Sequence, residues 1–298
     1  MGQPFDAAKA LFYGKFVMAA YNMFANPGND PLRPEPTGIP DGWELGAWIH
    51  MSDFVLNFDK PEFYGIVAHS LEDPNSRVVA IRGTEGAMEW IDDAAAIPTP
   101  FRQVPSAGRV AGGFDRIYNS LKIVKRPLPR LKAAVTVPET FEGSFADQLQ
   151  KEVEAREAER SGERAAPEKQ RRLRPTVVTG HSLGAALATL FVMENAHKNK
   201  AFDVTTSCTF ASPRVGNAEF ARTFDHLPVT SWRIVNKLDL VPRLPPHIPV
   251  LLDYDHVDTE QSFDSSAFAK KDLLCYHVLE TYLHSLDPGY PLRACCNP

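Results

Sequence analysis

The amino-acid sequence predicts an α/β fold in which helices cover both faces of a largely parallel sheet. In the second half of the chain, short segments rich in β-branched residues alternate with longer segments of helical periodicity. One junction, 176-TVVTGHSLGAALATLF-191, runs from a strand-like segment through a tight glycine-flanked turn into an alanine-rich helix. The length of 298 residues suits a single domain, which we expect to span residues 1–298 with its core at about 45–290.

The first part of the chain predicts a helix, a loop and a hairpin. Residues 1–24 have charged residues at helical spacing and no basic leading segment, which favours a packed amphipathic helix over a signal peptide or a membrane span. The proline- and glycine-rich segment 26–46 is predicted to be mostly loop. Residues 63–70 and 77–83 are predicted to pair as a hairpin because the turn-forming sequence LEDPNS separates them.

The rest of the chain predicts the alternation of strands and helices. Further strands are expected at 176–180, 205–212, 231–237 and 247–257. Further helices are expected at 112–124, 145–160, 182–198, 218–227 and 273–286. The dense mixed charge of residues 151–174 indicates a solvated helix followed by an exposed loop.

Composition excludes some functions and leaves the cellular location as an expectation. The net charge of -5 and the pI of about 6.0 provide no basic surface for a phosphate backbone, so nucleic acid is not an expected partner. The four cysteines, Cys208, Cys275, Cys295 and Cys296, have no spacing that indicates a disulfide framework. We therefore expect a reduced, cytoplasmic protein by default, or a secreted one if a signal peptide has been removed.

The Gly-x-Ser-x-Gly motif around Ser182 is weak by itself, but its context indicates a nucleophilic serine. A nucleophile elbow needs a strand before the serine and a helix after it, so that the hydroxyl projects above the sheet. Gly180 and Gly184 would remove side chains where strand and helix backbones approach closely. The start of the helix offers free N–H groups and a favourable dipole to an oxyanion beside Ser182.

A serine nucleophile needs a histidine and a carboxylate, which in this type of fold follow it along the chain. Asp239 stands just after the predicted strand 231–237, at the carboxyl end where a parallel sheet places catalytic groups. Two histidines remain, His277 and His284, and their spacing of seven places them on nearly the same face of one predicted helix. We favour His277 because it lies near the start of that helix, with His284 as the alternative.

Five ordered blocks resemble the class 3 lipase family. They are 80-AIRGTEGAMEWIDD-93, 112-GGFDRIY-118, 178-VTGHSLGAALA-188, 209-TFASPRVGN-217 and 234-IVNKLDLVPRLPP-246. The resemblance implies an α/β-hydrolase fold, with Ser182 as nucleophile and Asp239 as the triad acid. It also implies an oxyanion hole made by Thr84 and the Leu183 N–H.

The resemblance further implies two irregular segments. Residues 85–101 would form a lid over the nucleophile, with an apolar face around Trp90 able to meet a lipid surface. The distance along the chain between Phe114 and Gly180 is longer than usual in the family, which places an insertion at about 123–144.

The predicted function is a carboxylic-ester hydrolase that acts on lipid esters by acyl transfer to Ser182. Triacylglycerol is the leading substrate, followed by phospholipid, as in a phospholipase A1, and by short-chain esters. The reaction needs no cofactor or metal, and we expect no obligate protein partner, only the lipid substrate and a transient contact with its interface. A non-catalytic interaction module with the same fold is the hypothesis from another class, and the intact set of Ser182, Asp239 and His277 argues against it.

Overall fold

The protein forms two sheets and seven α-helices within the part of the chain that the computed structural model describes. That part comprises residues 4–26, 30, 34–51, 62–73, 75–84, 96–126, 139–161, 175–199, 202–248 and 252–298. The helices are α1 (Ala7–Ala25), α2 (Gly112–Tyr118), α3 (Phe145–Ser161), α4 (Leu183–Glu194), α5 (Ala218–Asp225), α6 (Leu273–His277) and α7 (Leu279–Leu286). The strands are β1 (Trp43–Met51), β2 (Glu62–Ser70), β3 (Arg77–Ile81), β4 (Pro98–Pro100), β5 (Arg109–Ala111), β6 (Lys122–Lys125), β7 (Pro175–His181), β8 (Asp203–Phe210), β9 (Gly216–Asn217), β10 (Thr230–Asn236), β11 (Tyr254–Asp255) and β12 (Thr259–Phe263).

The main sheet has eight strands in the order β12-β10-β8-β7-β3-β2-β1-β6. Strands β12, β10, β8, β7 and β3 run parallel, whereas β2, β1 and β6 continue the sheet with antiparallel pairing. Helices connect β7, β8 and β10, as parallel strands require a crossover. The predicted α/β class with its mostly parallel sheet is thus confirmed, and the predicted hairpin is the pair β2 and β3.

Helices cover both faces of the main sheet because the buried strands alternate their side chains between two apolar clusters. On β3, Val79 and Ile81 face one cluster together with α4, and Val78 and Ala80 face the other together with α1 and α7. Strand β3 is therefore buried on both sides, which is why its residues 78–81 are all apolar.

Helix α1 is part of this packing. Its residues Phe16, Val17 and Met23 are buried, and the helix contacts β2, β3, β7 and α7. Asp6 caps its first turn by accepting a hydrogen bond from the Lys9 N–H at 3.0 Å. The expected core of about 45–290 therefore begins too late, since the first helix is an integral layer of the fold.

Several elements differ from the sequence-based expectations. Part of the segment expected to be loop forms β1, whose last seven residues are buried between β2 and β6. The helix expected at 112–124 ends at Tyr118, and its last residues form β6 at the sheet edge. The expected insertion at about 123–144 therefore starts inside the sheet, and its residues 127–138 lie outside the described residues. Of the strand expected at 247–257, the structure contains the short β11.

The charged segment is less exposed than expected. In α3, Glu152 and Val153 are buried, and the Glu152 carboxylate lies 3.4 Å from Nε2 of the buried His69. Charge density alone therefore does not reveal the inward face of this helix. Residues 162–174 of the expected loop lie outside the described residues, as do residues 85–95 of the expected lid.

The cysteines also differ from expectation, because Cys275 and Cys296 form a disulfide. The expectation of a fully reduced chain is therefore wrong for this structure. The two cysteines are 21 residues apart, and this spacing matches no motif from which a disulfide could be predicted. Cys208 is a buried free thiol and Cys295 an exposed one. Within the described residues, no helix combines the length and the apolar character needed to cross a membrane.

Candidate active site

Ser182 stands on a strained turn between β7 and α4. Its φ of 58° and ψ of -124° lie outside the regions that non-glycine residues usually adopt. The turn requires its two glycines for steric reasons. A Cβ at Gly180 would lie 2.3 Å from the carbonyl oxygen of Gly184, and a Cβ at Gly184 would lie 2.2 Å from the carbonyl oxygen of Ile81. The backbone geometry is that of the predicted nucleophile elbow.

The structure brings Ser182, His277 and Asp239 into one hydrogen-bonded line. Nε2 of His277 lies 3.0 Å from Oγ of Ser182, and Nδ1 of His277 lies 2.7 Å from Oδ2 of Asp239. Because an ionised carboxylate only accepts hydrogen bonds, Nδ1 carries the ring proton and Nε2 is free to accept the serine proton. All three residues are buried, with Ser182 0% and Asp239 2% exposed.

Asp239 is held in place by two further donors. The Val241 N–H donates to Oδ1 at 2.9 Å, and the hydroxyl of Tyr282 donates to Oδ2 at 2.7 Å. Burial and the negative charge of Asp239 raise the pKa of Tyr282 well above its usual value, so this hydroxyl keeps its proton. Tyr282 is a site residue that the sequence reasoning missed, and the signal was an aromatic residue five positions after His277.

The structure places His284 away from this line. Its Nδ1 donates to the Tyr290 carbonyl oxygen at 2.7 Å, and its ring packs against Phe268 with the centroids 4.8 Å apart. The expected single helix at 273–286 is also broken, because Val278 has an extended ψ of 142° between α6 and α7. The two histidines therefore belong to different helices and, contrary to the prediction from the sequence, do not share one helix face.

The break at Val278 leaves the last carbonyl groups of α6 without helical partners, and side chains supply the missing donors. The three consecutive bonds are Thr281 Oγ1 to the Cys275 oxygen at 2.6 Å, Asn236 Nδ2 to the Tyr276 oxygen at 2.8 Å, and His181 Nε2 to the His277 oxygen at 2.8 Å. The Cys275–Cys296 disulfide adds a covalent restraint two residues before His277. The short helix that carries His277 is thus fixed by several independent contacts.

Of the two residues expected to form the oxyanion hole, Leu183 directly follows the nucleophile, and Thr84 follows a glycine that approaches it. Leu183 is the first residue of α4, where backbone N–H groups have no partner within the helix. A Cβ at Gly83 would lie 2.8 Å from Cβ of Ser182, so the segment that leads into the buried Thr84 passes next to the serine. The roles of Thr84 and Leu183 remain predictions.

One group of side chains in the described part of the chain has the spacing of metal ligands. The sulfur atoms of Cys275, Cys295 and Cys296 lie within 4.8 Å of one another. Two of these atoms are joined in the disulfide and cannot bind a metal as thiolates. This group is therefore a covalent restraint, and it contributes no metal centre to the site.

The chain resembles known proteins in sequence. Residues 78–248 match the family model described as Lipase (class 3), a range that includes Ser182 and Asp239 and ends before His277. Phospholipase A1-II 6 of Oryza sativa subsp. japonica is 32% identical over 230 residues, which cover 70% of this chain and 50% of that protein. Phospholipase A1-Igamma1, chloroplastic, of Arabidopsis thaliana is 31% identical over 355 residues, with 96% and 64% covered. The chain spans about half the length of the curated relatives that it matches first.

Solved lipases have the same fold at low sequence identity. The lipase from Rhizopus microsporus var. chinensis matches with a TM-score of 0.57 and 23% identity, covering 86% of this chain and 74% of that one. The Yarrowia lipolytica LIP2 lipase matches with a TM-score of 0.54 and 22% identity, covering 87% and 81%. These similarities confirm the predicted α/β-hydrolase fold.

Proposed function

Because this chain belongs to the class 3 lipase family, we propose that it is a serine carboxylic-ester hydrolase that acts on lipid esters. The observation that carries the proposal is the hydrogen-bonded line from Ser182 through His277 to Asp239, with separations of 3.0 and 2.7 Å. A serine hydroxyl becomes a competent nucleophile when a histidine accepts its proton and a carboxylate stabilises the resulting imidazolium. The strained elbow presents that hydroxyl at the sheet edge.

The first half of the reaction is acylation of Ser182. Oγ attacks the ester carbonyl carbon while Nε2 of His277 takes the hydroxyl proton. The negative charge then develops on the former carbonyl oxygen, which the N–H groups of Thr84 and Leu183 stabilise. Collapse of this intermediate breaks the bond to the alcohol, which leaves with the proton returned by His277.

The second half is hydrolysis of the acyl-enzyme. His277 now takes a proton from water, whose oxygen attacks the acyl carbon. The same two N–H groups stabilise the second oxyanion, and the proton passes back to Oγ of Ser182 as the fatty acid leaves. Throughout, Tyr282 and the Val241 N–H hold Asp239 so that it keeps Nδ1 protonated.

Two classes of lipid ester are candidate substrates. Triacylglycerol is the class expected from the sequence, and the resemblance to fungal lipases accords with it in fold only. A phospholipase A1 activity is the second candidate, and the observation that favours it is the set of curated relatives named phospholipases A1. Both classes share the acyl ester of glycerol as the bond that Ser182 would attack.

Covalent labelling separates hydrolysis from a non-catalytic role. We expect a fluorophosphonate to label the wild-type chain and the control Ser120→Ala, whose hydroxyl bonds to the Ile117 carbonyl in α2. Ser182→Ala should lose the label and about a million-fold of the turnover of a soluble ester. Unchanged labelling of Ser182→Ala would refute Ser182 as the nucleophile, and absence of labelling in the wild type would support an interaction module.

The substrate classes are separated by a panel. Emulsified triacylglycerol, phosphatidylcholine vesicles and a soluble short-chain ester should be assayed with the Ser182→Ala variant as blank. Faster release of fatty acid from triacylglycerol supports the lipase candidate, whereas faster release from phosphatidylcholine supports the phospholipase A1 candidate. Activity restricted to the short-chain ester would reject both and leave a simple esterase.

A further inference from the structure

A second series of hydrogen bonds lies next to the bonds that join Ser182, His277 and Asp239. It starts at Tyr21 in α1. The Gly83 N–H donates to the hydroxyl of Tyr21 in α1 at 2.8 Å. The same hydroxyl lies 2.8 Å from Nδ1 of His181, and Nε2 of His181 lies 2.8 Å from the backbone oxygen of His277. The series therefore links the segment before Thr84, the elbow and the short helix that carries His277.

The direction of every bond in this series is fixed by its two ends. A carbonyl oxygen only accepts, so Nε2 of His181 must carry a hydrogen and donate it to His277. In a neutral ring Nδ1 is then an acceptor, which requires the Tyr21 hydroxyl to donate to it while accepting from the Gly83 N–H. Each donor has one acceptor, so the arrangement is fully satisfied when His181 is neutral.

The surroundings keep both side chains in these forms. His181 is 2% exposed, and burial, followed by the charge on His277, lowers its pKa well below the usual value. Burial also raises the pKa of Tyr21 to about 12, so its hydroxyl stays protonated. The ring centroids of His181 and His277 lie 4.8 Å apart. A positive charge on His181 would therefore oppose formation of the His277 imidazolium during catalysis.

We propose that Tyr21 and His181 are positioning residues. They hold the backbone of His277 in place relative to Ser182 and to Gly83, the residue before the predicted oxyanion residue Thr84. This inference rests on the proposed ester-hydrolase function. His181 is the last residue of β7 and directly precedes Ser182, so a bond from its ring to the His277 carbonyl fixes the base relative to the nucleophile. Tyr21 sets the ring orientation of His181 and ties it to Gly83.

The expected effect is a loss of turnover without a loss of substrate affinity. Neither side chain lies in the line of proton transfer, and a displacement of about 1 Å at reacting groups costs up to about 100-fold in rate. We therefore expect variants that remove the bond to the His277 carbonyl, or the Tyr21 hydroxyl itself, to lower kcat by about 10- to 100-fold on a soluble ester and to leave KM unchanged.

A matched pair of substitutions at His181 separates the two bonds of its ring. His181→Gln places an amide nitrogen near the position of Nε2 and keeps the bond to the His277 carbonyl. It loses the acceptor at Nδ1, but the Tyr21 hydroxyl still accepts from the Gly83 N–H, which Tyr21→Phe would leave unpaired. His181→Asn places its amide near the position of Nδ1, so it keeps contact with Tyr21 and loses the bond to His277. We expect His181→Gln to retain most of the turnover and His181→Asn to lose it, and equal rates in the two variants would overturn the proposal.

Tyr21→Phe tests the other end of the series with the aromatic ring retained. Its matched control is Tyr118→Phe, which removes a buried hydroxyl that donates to Glu194. Tyr118 belongs to the apolar cluster on the α4 face of the sheet, whereas Tyr21 packs on the opposite face. Both should lower the melting temperature, but only Tyr21→Phe should lower kcat and the rate of fluorophosphonate labelling. Equal kcat values in Tyr21→Phe and Tyr118→Phe would show that Tyr21 merely stabilises the fold.

These outcomes are distinct from those that test the proposed function. If Ser182→Ala abolishes labelling and turnover while Tyr21→Phe and His181→Asn keep wild-type kcat, the hydrolase function stands and the positioning role is refuted. If His181→Asn does not fold, Tyr21→Phe and His181→Gln still decide the matter, because the first must lose turnover and the second must retain it.

Discussion

Gly184→Ala should disable the elbow by displacing the helix that follows the nucleophile. The added Cβ would lie 2.2 Å from the carbonyl oxygen of Ile81 and 2.6 Å from that of Arg82, whereas real Cβ contacts essentially never fall below 3.0 Å. Both oxygens belong to backbone, so α4 must move away from β3 by about 0.8 Å. Overpacking of this kind costs about 1 to 3 kcal/mol of stability. Because Ser182 directly precedes α4, its 3.0 Å contact with His277 moves as well, and we expect kcat to fall by up to about 100-fold.

The assay is turnover of a soluble ester together with thermal unfolding of the same samples. At roughly 2 to 4 °C per kcal/mol for a chain of this size, the melting temperature should fall by about 2 to 12 °C. Gly289→Ala is the matched control, because it is exposed and its Cβ would approach only the Asp287 side chain, at 3.1 Å. A kcat of Gly184→Ala within twofold of wild type would refute the argument that the elbow tolerates no side chain here.

Three further predictions concern the acid, an acid-sensitive histidine and the disulfide. Asp239→Asn should lower kcat on a soluble ester by about ten-thousand-fold, because an amide favours the wrong tautomer of His277. Burial lowers the pKa of His50 to about 4, so between pH 6.5 and pH 4 the unfolded chain binds a proton that the folded chain does not. Stability should therefore fall as the pH falls, by about 2 kcal/mol from this residue at pH 5, and His50→Leu should remove that part of the loss in urea unfolding. Cys296→Ser should lower the free energy of unfolding by about 3 kcal/mol, as expected for opening a loop of this length, again measured with urea.

Each of these three has a result that would contradict it. Near-normal turnover of Asp239→Asn would mean that another carboxylate orients the histidine. The same loss of stability between pH 7.5 and pH 5 in wild type and His50→Leu would show that folding does not lower the pKa of His50. An unchanged urea midpoint for Cys296→Ser under non-reducing conditions would show that the Cys275–Cys296 bond does not constrain the unfolded chain.

The parts of the site that sequence could predict are those specified by adjacent residues. The elbow needs a strand, a turn with Gly180 and Gly184, and a helix, and all of these lie within one continuous segment around Ser182. Asp239 could be found because strand ends in a parallel sheet meet at one edge. The choice of His277 depended on its position near a helix start, and the structure brings it to Ser182 although the helix itself is broken.

The site residues that the sequence could not predict form hydrogen bonds with partners far away along the chain. Tyr282 bonds to Asp239 from 43 positions away, and Tyr21 bonds to His181 from 160 positions away. No local pattern distinguishes such tyrosines from ordinary buried ones. The edge strand β6 was missed for a related reason, because four residues alone specify neither strand nor helix until β1 provides the pairing partner.

The long separations in this site have a consequence for how the protein becomes active. Tyr21 lies in α1, 160 positions before His181, and His277 lies in α6, 96 positions after it. Contacts between such distant segments form late in folding, since the intervening chain must first be ordered. A nascent chain that still lacks α6 and α7 would already contain Ser182 and its elbow but would have no His277 to activate the serine. The proposed hydrolytic activity should therefore appear only once α6 has docked against the elbow, which makes turnover a sensitive reporter of that contact in refolding experiments.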